Sequence, residues 1–536
     1  MKYLLILFSF LIFFLACKKE TKKTEIKQKS NAIFFDESAI DLFFKNNPEN
    51  ENVVKDVKLF YKNRAFQYAW FTKNGITQAV PNFQNQLQNY SIDFDDKTLN
   101  NAQLDTLVTM IRINPNQKID TKQREKLELI LTTTFFKYSQ KAFSGINKNA
   151  QKLDWFIPRA QKNFQVMLDS LVLKDENDKT HEPVNFYYSK LKEKLKLYRE
   201  IQKKGGFPVI KMNEEFLDKN ESDSVLLQVK KRLFLSGDLK INETNAIYTK
   251  TLADAIANFQ QRVGLPENGK LDKKTIAELN KSVDFRIKQM LINLERLRWI
   301  PVEIENAYLL VNIPEFKLHV FENKKLIWET NVVVGKEAKQ TTIFKGNISR
   351  IVLNPYWNVP TSIINNEILP KLKRNRNYLS NNNMEVVAGG KVINSKAINW
   401  NNYSKNIPYQ IRQKPGFDNS LGKMKFLFPN SYSIYLHDTP AKDLFDRNNR
   451  DFSHGCIRVE NPKKLALHLL KNNKSWNVQN VDKILATSDE TEIAINPKLP
   501  VYIAYFTAWV DIQGNLNFRN DIYDLDEQLG KEIFID

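Results

Sequence analysis

Glycine is scarce, with 16 in 536 residues, and neither GxGxxG nor GxxxxGK[ST] occurs. The glycine-rich backbone loops that cradle phosphates therefore have no candidate here, and no nucleotide cofactor is expected. Cysteine is scarcer still: Cys17 and Cys456 are the only two. The most apolar run, Leu4 to Leu15, is about a dozen residues long. That is well short of the roughly 20 that span a bilayer. Acidic residues are outnumbered, 61 against 80 Lys and Arg, for a formal charge of +19. Such a surface could attract anionic wall polymer, membrane head groups or nucleic acid. The densest basic run, Lys371 to Arg376, has no base-reading motif around it. It reads as a solvated face, and no nucleic-acid partner is expected.

The hydrophobic fraction, 42%, is ample for packed cores, and the length suggests about three domains at roughly 100–200 residues each. The N-terminus has the layout of a targeting signal. Lys2 precedes the apolar run, Leu15-Ala16-Cys17 follows it, and the chain then turns abruptly polar at Lys18-Lys19-Glu20. This resembles a bacterial lipoprotein signal, which implies residues 1–16 as leader, acylation of Cys17, and a polar tether over 17–32. Several acyl chains, at roughly 0.8 kcal/mol per buried CH₂, make a stable anchor. The expected location is the cell envelope, facing the periplasm and held to a membrane. Cys456 would then have no intramolecular partner in an oxidising compartment, and a lone thiol there asks for a reason. It is either an inert buried side chain or a nucleophile, and its neighbours decide.

Further along, residues 33–221 read mainly as helices without a titratable constellation, a helical scaffold whose aromatics (Tyr68 to Phe71 among them) serve as core. Residues 222–282 read as a compact helical unit. Phe259-Gln260, Gly264-Leu265, Gly269 and Thr275 with Leu279 resemble the signature of peptidoglycan-binding-like domains. Residues 283–304 form a connecting helix with Ile287, Met290, Leu291, Leu294 and Leu297 on its apolar stripe and Arg286, Arg296 and Arg298 off it. From Tyr308 the period changes to two, as in consecutive antiparallel strands. A charged, Asn-rich insertion over 361–415 interrupts that pattern within a domain spanning 305–485, and could cap or gate a site. The 486–536 tail is expected to pack on the catalytic or the scaffold domain. The fold class is thus α+β and multidomain: helical modules followed by a mainly antiparallel β domain with a capping insertion.

Two segments carry chemistry. Tyr435-Leu436-His437-Asp438 ends a strand on a histidine, and Ser453-His454-Gly455-Cys456-Ile457-Arg458 is a loop before a helix that Asn461 can cap and Pro462 can start. A free thiol, with pKa near 8.5, is only about 3% thiolate at pH 7. An imidazole such as His437 within reach can act as general base or form an ion pair with the thiolate. The other ring nitrogen needs an acceptor, either the Asp438 carboxylate or its backbone carbonyl. Gly455 permits close backbone approach, and the Gly455 and Cys456 N–H groups are candidate oxyanion donors. Arg458 is placed to meet a substrate carboxylate or to brace the loop. A zinc site from His437, Asp438, His454 and Cys456 is the competing use, but it leaves the whole Ser-His-Gly-Cys-x-Arg block unexplained, and no metal is expected.

With 15 residues between His437 and Ser453, the pattern resembles the L,D-transpeptidase (YkuD-type) catalytic domain. The order of modules, and the blocks Asn354 to Pro360, Arg412 to Gly416 and Tyr505 to Trp509, resemble its large YcbB-like group. The resemblance implies Cys456 as nucleophile and His437 as general base, with Ser453, His454 and Gly455 shaping the loop and oxyanion hole and Arg458 supporting the site. Tyr356 and Trp357 are candidate substrate contacts. It implies peptidoglycan stem peptides as donor and acceptor. Attack on the bond between a diamino acid and terminal D-Ala would give a thioester, and a second stem's side-chain amine would then form a 3→3 cross-link. Two alternatives stand beside this. One is an L,D-carboxypeptidase that gives the thioester to water. The other is a non-catalytic wall-binding lipoprotein using residues 222–282.

Overall fold

The computed structural model describes residues 32–113, 120–146, 149–159, 161–173, 183–211 and 221–534. The leader, Cys17 and nearly all of the tether lie outside these residues. Among the described residues, no helix is long and apolar enough to cross a membrane. The chain divides into two compact units. The first comprises residues 1–87, 99–137 and 164–178, and the second 88–98, 138–163 and 179–536. The stretch 33–221, read as one scaffold, is thus shared between both units.

The first unit is helical and closes on aromatics. Phe60, Tyr61, Trp70, Phe83, Phe135 and Phe136 are all buried, so they are core. In their midst the Glu128 carboxylate accepts from the Tyr61 hydroxyl at 2.8 Å and the Trp70 N–H at 3.0 Å, which satisfies a charge that burial would otherwise penalise.

In the second unit, helices Val225–Ser236, Lys250–Val263 and Lys273–Leu279 pack around Leu226, Val229, Leu233, Leu252, Ile256, Phe259 and Leu279. The Phe-Gln signature has a structural cause. The fully buried Gln260 amide donates to Asn268 Oδ1, Lys270 O and Thr275 Oγ1, and accepts from the Asn268 and Gly269 N–H groups. One side chain thereby ties helix, turn and next helix together. Gly269 sits at φ +68°, where an added Cβ would lie 2.9 Å from the Ala253 carbonyl.

The connecting helix, Val283–Trp299, is capped by Ser282 and differs from its amphipathic reading. From Gln289 onward it is buried on every side, and all three arginines are buried, while Asp284, Phe285 and Lys288 near its start are exposed. Tertiary pairing overrides the pattern: Arg286 meets Glu278 at 2.6 Å, Arg298 meets Glu295 at 2.6 Å, and Arg296 meets Asp526. Buried guanidinium groups are tolerable only with such partners. The C-terminal segment supplies much of the cover, since Gln289 donates to Thr507 O and Arg519 O.

The β domain is a ten-stranded sheet. Its principal strands are β1 (Ala307–Asn312), β2 (Lys317–Glu322), β3 (Lys325–Gly335), β4 (Ile343–Leu353), β5 (Trp357–Asn358), β6 (Met384–Ala388), β7 (Lys391–Ile393), β8 (Gln410–Gln413), β9 (Met424–Leu427), β10 (Leu436–His437), β11 (Asp451–Ser453), β12 (Ile457–Val459) and β13 (Thr491–Ala504), of which β5 to β8 belong to a separate small sheet. The order β9-β10-β12-β3-β2-β1-β13-β4 closes on itself because β9 also pairs with β4. The result is a barrel, antiparallel except where β10 runs parallel to β12 and β1 to β13. The tail is therefore integral: β13, within the 486–536 segment, is a barrel strand. Trp155–Phe156, from the stretch read as helical scaffold, pairs with β4. The insertion forms its own four-stranded sheet, β7-β6-β8-β5, over a separate core that includes Ile368, Leu372, Val386, Trp400 and Ile411. Its basic run is exposed apart from Leu372.

Across β2 and β3 a buried charge cluster pins one barrel wall. His319 meets Glu315 at 2.9 Å and Glu329 at 3.2 Å. Burial alone would depress the His319 pKa, but the Glu315 carboxylate, helped by Glu329, outweighs it and lifts the value to about 9. A group whose folded pKa is raised contributes stability fully below its unfolded value, roughly 6.5, and loses it as pH rises through the folded one. The thermal midpoint is therefore expected to fall between pH 7 and pH 10, and His319→Gln to flatten that fall. A melting series by circular dichroism checks this, and an unchanged slope in the variant refutes it.

Candidate active site

β10 is only two residues long, yet it is held on both sides. His437 is in register with Lys425 on β9 and with Arg458 on β12. Since β12 starts at Ile457, the register that fixes His437 also fixes the residue before that strand, Cys456. The two chemical segments of the sequence thus meet at one end of one parallel pair.

The loop Ser453 to Cys456 is built on a few bonds. Gly455 adopts φ +112°, a left-handed conformation that strains any L side chain. Ser453 Oγ donates to Cys456 O at 2.5 Å and accepts from Gly455 N at 3.1 Å. That second bond engages the Gly455 amide, one of the two donors expected for an oxyanion, within the loop itself. Below the loop, Thr341 Oγ1 donates to Gly455 O at 2.9 Å and accepts from Gly335 N at 2.8 Å. Tyr523 in turn donates to Gly335 O and accepts from Thr341 N. The tail therefore reaches the thiol loop through Thr341.

His437 is buried. Its Nδ1 donates to the Asp438 backbone carbonyl at 2.5 Å, so Nε2 is the acceptor of the neutral ring. Of the two orienting groups open in the sequence, the carbonyl holds the ring. The Asp438 carboxylate is engaged elsewhere, accepting from Lys423 N (2.9 Å), Thr439 N (2.8 Å) and Lys442 Nζ (2.7 Å). Burial, then Arg458, then Lys425 push the His437 pKa down to about 3, against the opposing pull of the Asp438 carbonyl. The ring is neutral at any physiological pH.

Cys456 is partly buried, and its thiol donates to Ser433 O at 3.7 Å. Burial pushes the thiol pKa up, while bonds from Tyr435 and the charges of Lys425 and Arg458 pull against burial. The Tyr435 hydroxyl stands between the thiol and Trp357, interacting with both, and its ring lies 5.7 Å from that of His437. Trp357 is thereby brought to the site. Tyr356 is tied to the insertion, with Arg412 stacked 4.2 Å from its ring and Glu490 accepting from its N–H. His454 is exposed and points outward to Glu367 at 2.9 Å, so the insertion touches the thiol loop. No group of three or more His, Cys, Asp and Glu side chains that could hold a metal occurs among the described residues. Asn461 differs from its expected capping role: its side-chain amide donates to Thr330 Oγ1, while Pro462 opens the helix as expected.

Sequence reasoning missed Tyr435, Lys425, Thr341, Tyr523 and Glu367 as parts of the site. The one available signal was Lys425, a lone charge among Met424, Phe426 and Leu427 in a barrel strand.

With this geometry in hand, comparison with known proteins gives a family likeness. Residues 306–491 match the YkuD model, described as the L,D-transpeptidase catalytic domain. Residues 55–195 match a scaffold-domain model, and 224–279 a model described as "Putative peptidoglycan binding domain". The barrel domain is thus similar to the L,D-transpeptidase (YkuD) catalytic domain, and the regions before it are similar to scaffold and peptidoglycan-binding-like domains. A Haemophilus influenzae protein described as "Putative L,D-transpeptidase" is 38% identical over 243 residues, 45% of this chain and 49% of that protein. The chain thus spans about half the length of that curated relative. Among solved structures, an L,D-transpeptidase from Stackebrandtia nassauensis is 14% identical (54% of this chain, 94% of that one, TM-score 0.22). One from Xylanimonas cellulosilytica is 11% identical (55% and 100%, TM-score 0.17). Likeness this low adds nothing to what the family model gives.

The neutral, unpaired state of thiol and imidazole has a testable consequence. Alkylation of Cys456 by iodoacetamide, followed on its own peptide by mass spectrometry, should rise about tenfold per pH unit from pH 6 to 8 without a plateau. A plateau starting near pH 6 would show a preformed thiolate–imidazolium pair and refute it.

Proposed function

We propose that this protein is a cell-wall L,D-transpeptidase of the large YcbB-like group, which forms 3→3 cross-links between peptidoglycan stem peptides through a Cys456 thioester. The observation that supports the reading is the register that pairs the strand ending on His437 with the strand that begins just after Cys456, whose loop is braced by Ser453 and Thr341. In the proposed reaction, Nε2 of His437 takes the thiol proton as Sγ attacks the carbonyl joining the diamino acid to terminal D-Ala. The oxyanion forms against Cys456 N–H. The C–N bond breaks, the D-Ala amine leaves with the proton from His437, and the thioester remains. A neutral side-chain amine of a second stem then attacks, its proton passes to His437, and the C–S bond breaks to return the thiol. The insertion, touching the loop at Glu367–His454, is placed to limit water at the thioester, which is what separates transfer from hydrolysis.

The full chain in detergent, mixed with purified tetrapeptide muropeptides, is expected to yield a dimer lighter by one D-Ala. Cys456→Ala should abolish the product, and His437→Gln should lower its rate at least about a hundredfold. Tripeptide monomer alone would replace this reading with an L,D-carboxypeptidase. Absence of any product would favour the non-catalytic wall-binding alternative.

We further propose that Cys17 is acylated and holds the protein to a membrane. The sequence around it supports this. Cys17→Ala is expected to move the protein from the membrane fraction to the soluble fraction on ultracentrifugation. An unchanged distribution overturns the anchor.

A further inference from the structure

Three neighbouring strands present a row of nitrogen side chains beside the thiol. Lys425, His437 and Arg458 are cross-strand partners on β9, β10 and β12, so their side chains leave the barrel on one face. The middle member is neutral, leaving two cations on either side of it. Neither cation forms a salt bridge among the described residues, unlike most of the buried cations elsewhere in this chain. The nearest carboxylates are engaged: Glu490 with the Tyr356 N–H and Glu492 with Arg350. Lys425 stacks its ammonium 4.1 Å from the Tyr435 ring centroid. Arg458 Nε is buried without a hydrogen-bond partner. Both cations act electrostatically on Cys456, which places them within reach of whatever the thiol attacks.

Two partly buried cations without a salt-bridge partner are costly: each is held below its ordinary pKa chiefly by burial, against a weaker opposing pull from Cys456 on both and from Glu490 and Glu492 on Lys425. They become favourable when an anion of the right geometry arrives. A carboxylate is such an anion, and in a peptide donor the free C-terminal carboxylate lies just beyond the scissile bond when the last residue is the leaving group. We infer that Lys425 and Arg458, flanking His437, form a subsite for the C-terminal carboxylate of the donor peptide. Lys425 is thus a binding residue that makes the site read a chain end. This rests on the transpeptidase reading above. It follows that a donor one residue longer, whose carboxylate is displaced past the pair, is handled poorly, as is one whose C-terminus is an amide.

The test compares tetrapeptide donors ending in a carboxylate and in a carboxamide. Turnover is measured with the full-length wild-type protein, and affinity with the Cys456→Ala variant by calorimetry. Losing a charge-assisted contact is expected to lower kcat/KM for the amide about tenfold to a hundredfold, with weaker binding to match. Lys425→Gln alters the charge felt by Cys456 and His437 with either donor, so the readout is the ratio: kcat/KM for the acid should fall by about tenfold more than for the amide, which erases the discrimination. Lys425→Arg should keep most of it. If wild type treats both donors alike, the subsite is overturned while the transpeptidase reading stands. That comparison needs no variant, so a misfolded Lys425→Gln cannot blunt it. If neither donor binds or reacts, the transpeptidase reading fails, and the subsite with it.

Discussion

The parallel pairing of β10 with β12 is the constraint on which the site depends. Both strands are short, and neither would hold its place alone. Leu436 and Ile457 are fully buried partners across the pair, and their burial fixes the register. A slip of one residue would turn His437 to the other face of the sheet and move Leu436 out of the core. The hydrophobic cost of exposing such a side chain, about 1.5–3 kcal/mol, is what holds the imidazole near the thiol. The placement of His437 is therefore set by the apolar packing of its strand neighbour, and the barrel that supplies the packing closes because β9 pairs with both β10 and β4.

That closure also explains why distant parts of the chain converge on the loop. β13 lies between β1 and β4, so the tail beyond it emerges against the barrel and the buried helix Val283–Trp299. From there Tyr523 reaches Gly335 and Thr341, and Thr341 holds Gly455 O. Loops carry function when a rigid scaffold positions them, and here the scaffold includes residues nearly seventy positions past the thiol.

What was legible in the sequence follows the range over which each signal acts. The change of period at Tyr308, the Gln260 signature and the Ser-His-Gly-Cys block are local, and the elements they imply are present. Long-range matters were not legible. Arg286, Arg296 and Arg298 look like solvent-facing charges because their partners Glu278, Glu295 and Asp526 are found only by folding. Trp155–Phe156 lies in a helical stretch, and nothing local says that it will pair with β4. In the site, His437 and Cys456 announced themselves by type and spacing. Lys425 did not, because one lysine in a strand is ordinary until its register with His437 is known. Asp438 left two orienting groups open, its carboxylate and its backbone carbonyl, and only the fold chooses between them. A carboxylate next to a catalytic-looking histidine invites the role of orienter, but its own backbone carbonyl is closer to the ring, and its carboxylate is occupied by Lys423 N, Thr439 N and Lys442.

The electrostatics of the site bear on how the proposed chemistry could be switched on. At rest the proton belongs on sulfur: burial raises the thiol, while burial and two cations hold the imidazole near 3. Proton transfer from Cys456 to His437 is therefore uphill, which keeps the thiol in its less reactive form, since the thiolate is the nucleophile. An anion placed between Lys425 and Arg458 would cancel part of the field that depresses His437. By linkage, whatever makes the anion bind better with His437 protonated makes His437 a stronger base with the anion bound. The same two side chains would then do two things in sequence. On the proposed reading they hold the imidazole weakly basic until a peptide carboxylate neutralises them, so that the thiol would be activated chiefly in the presence of something to attack.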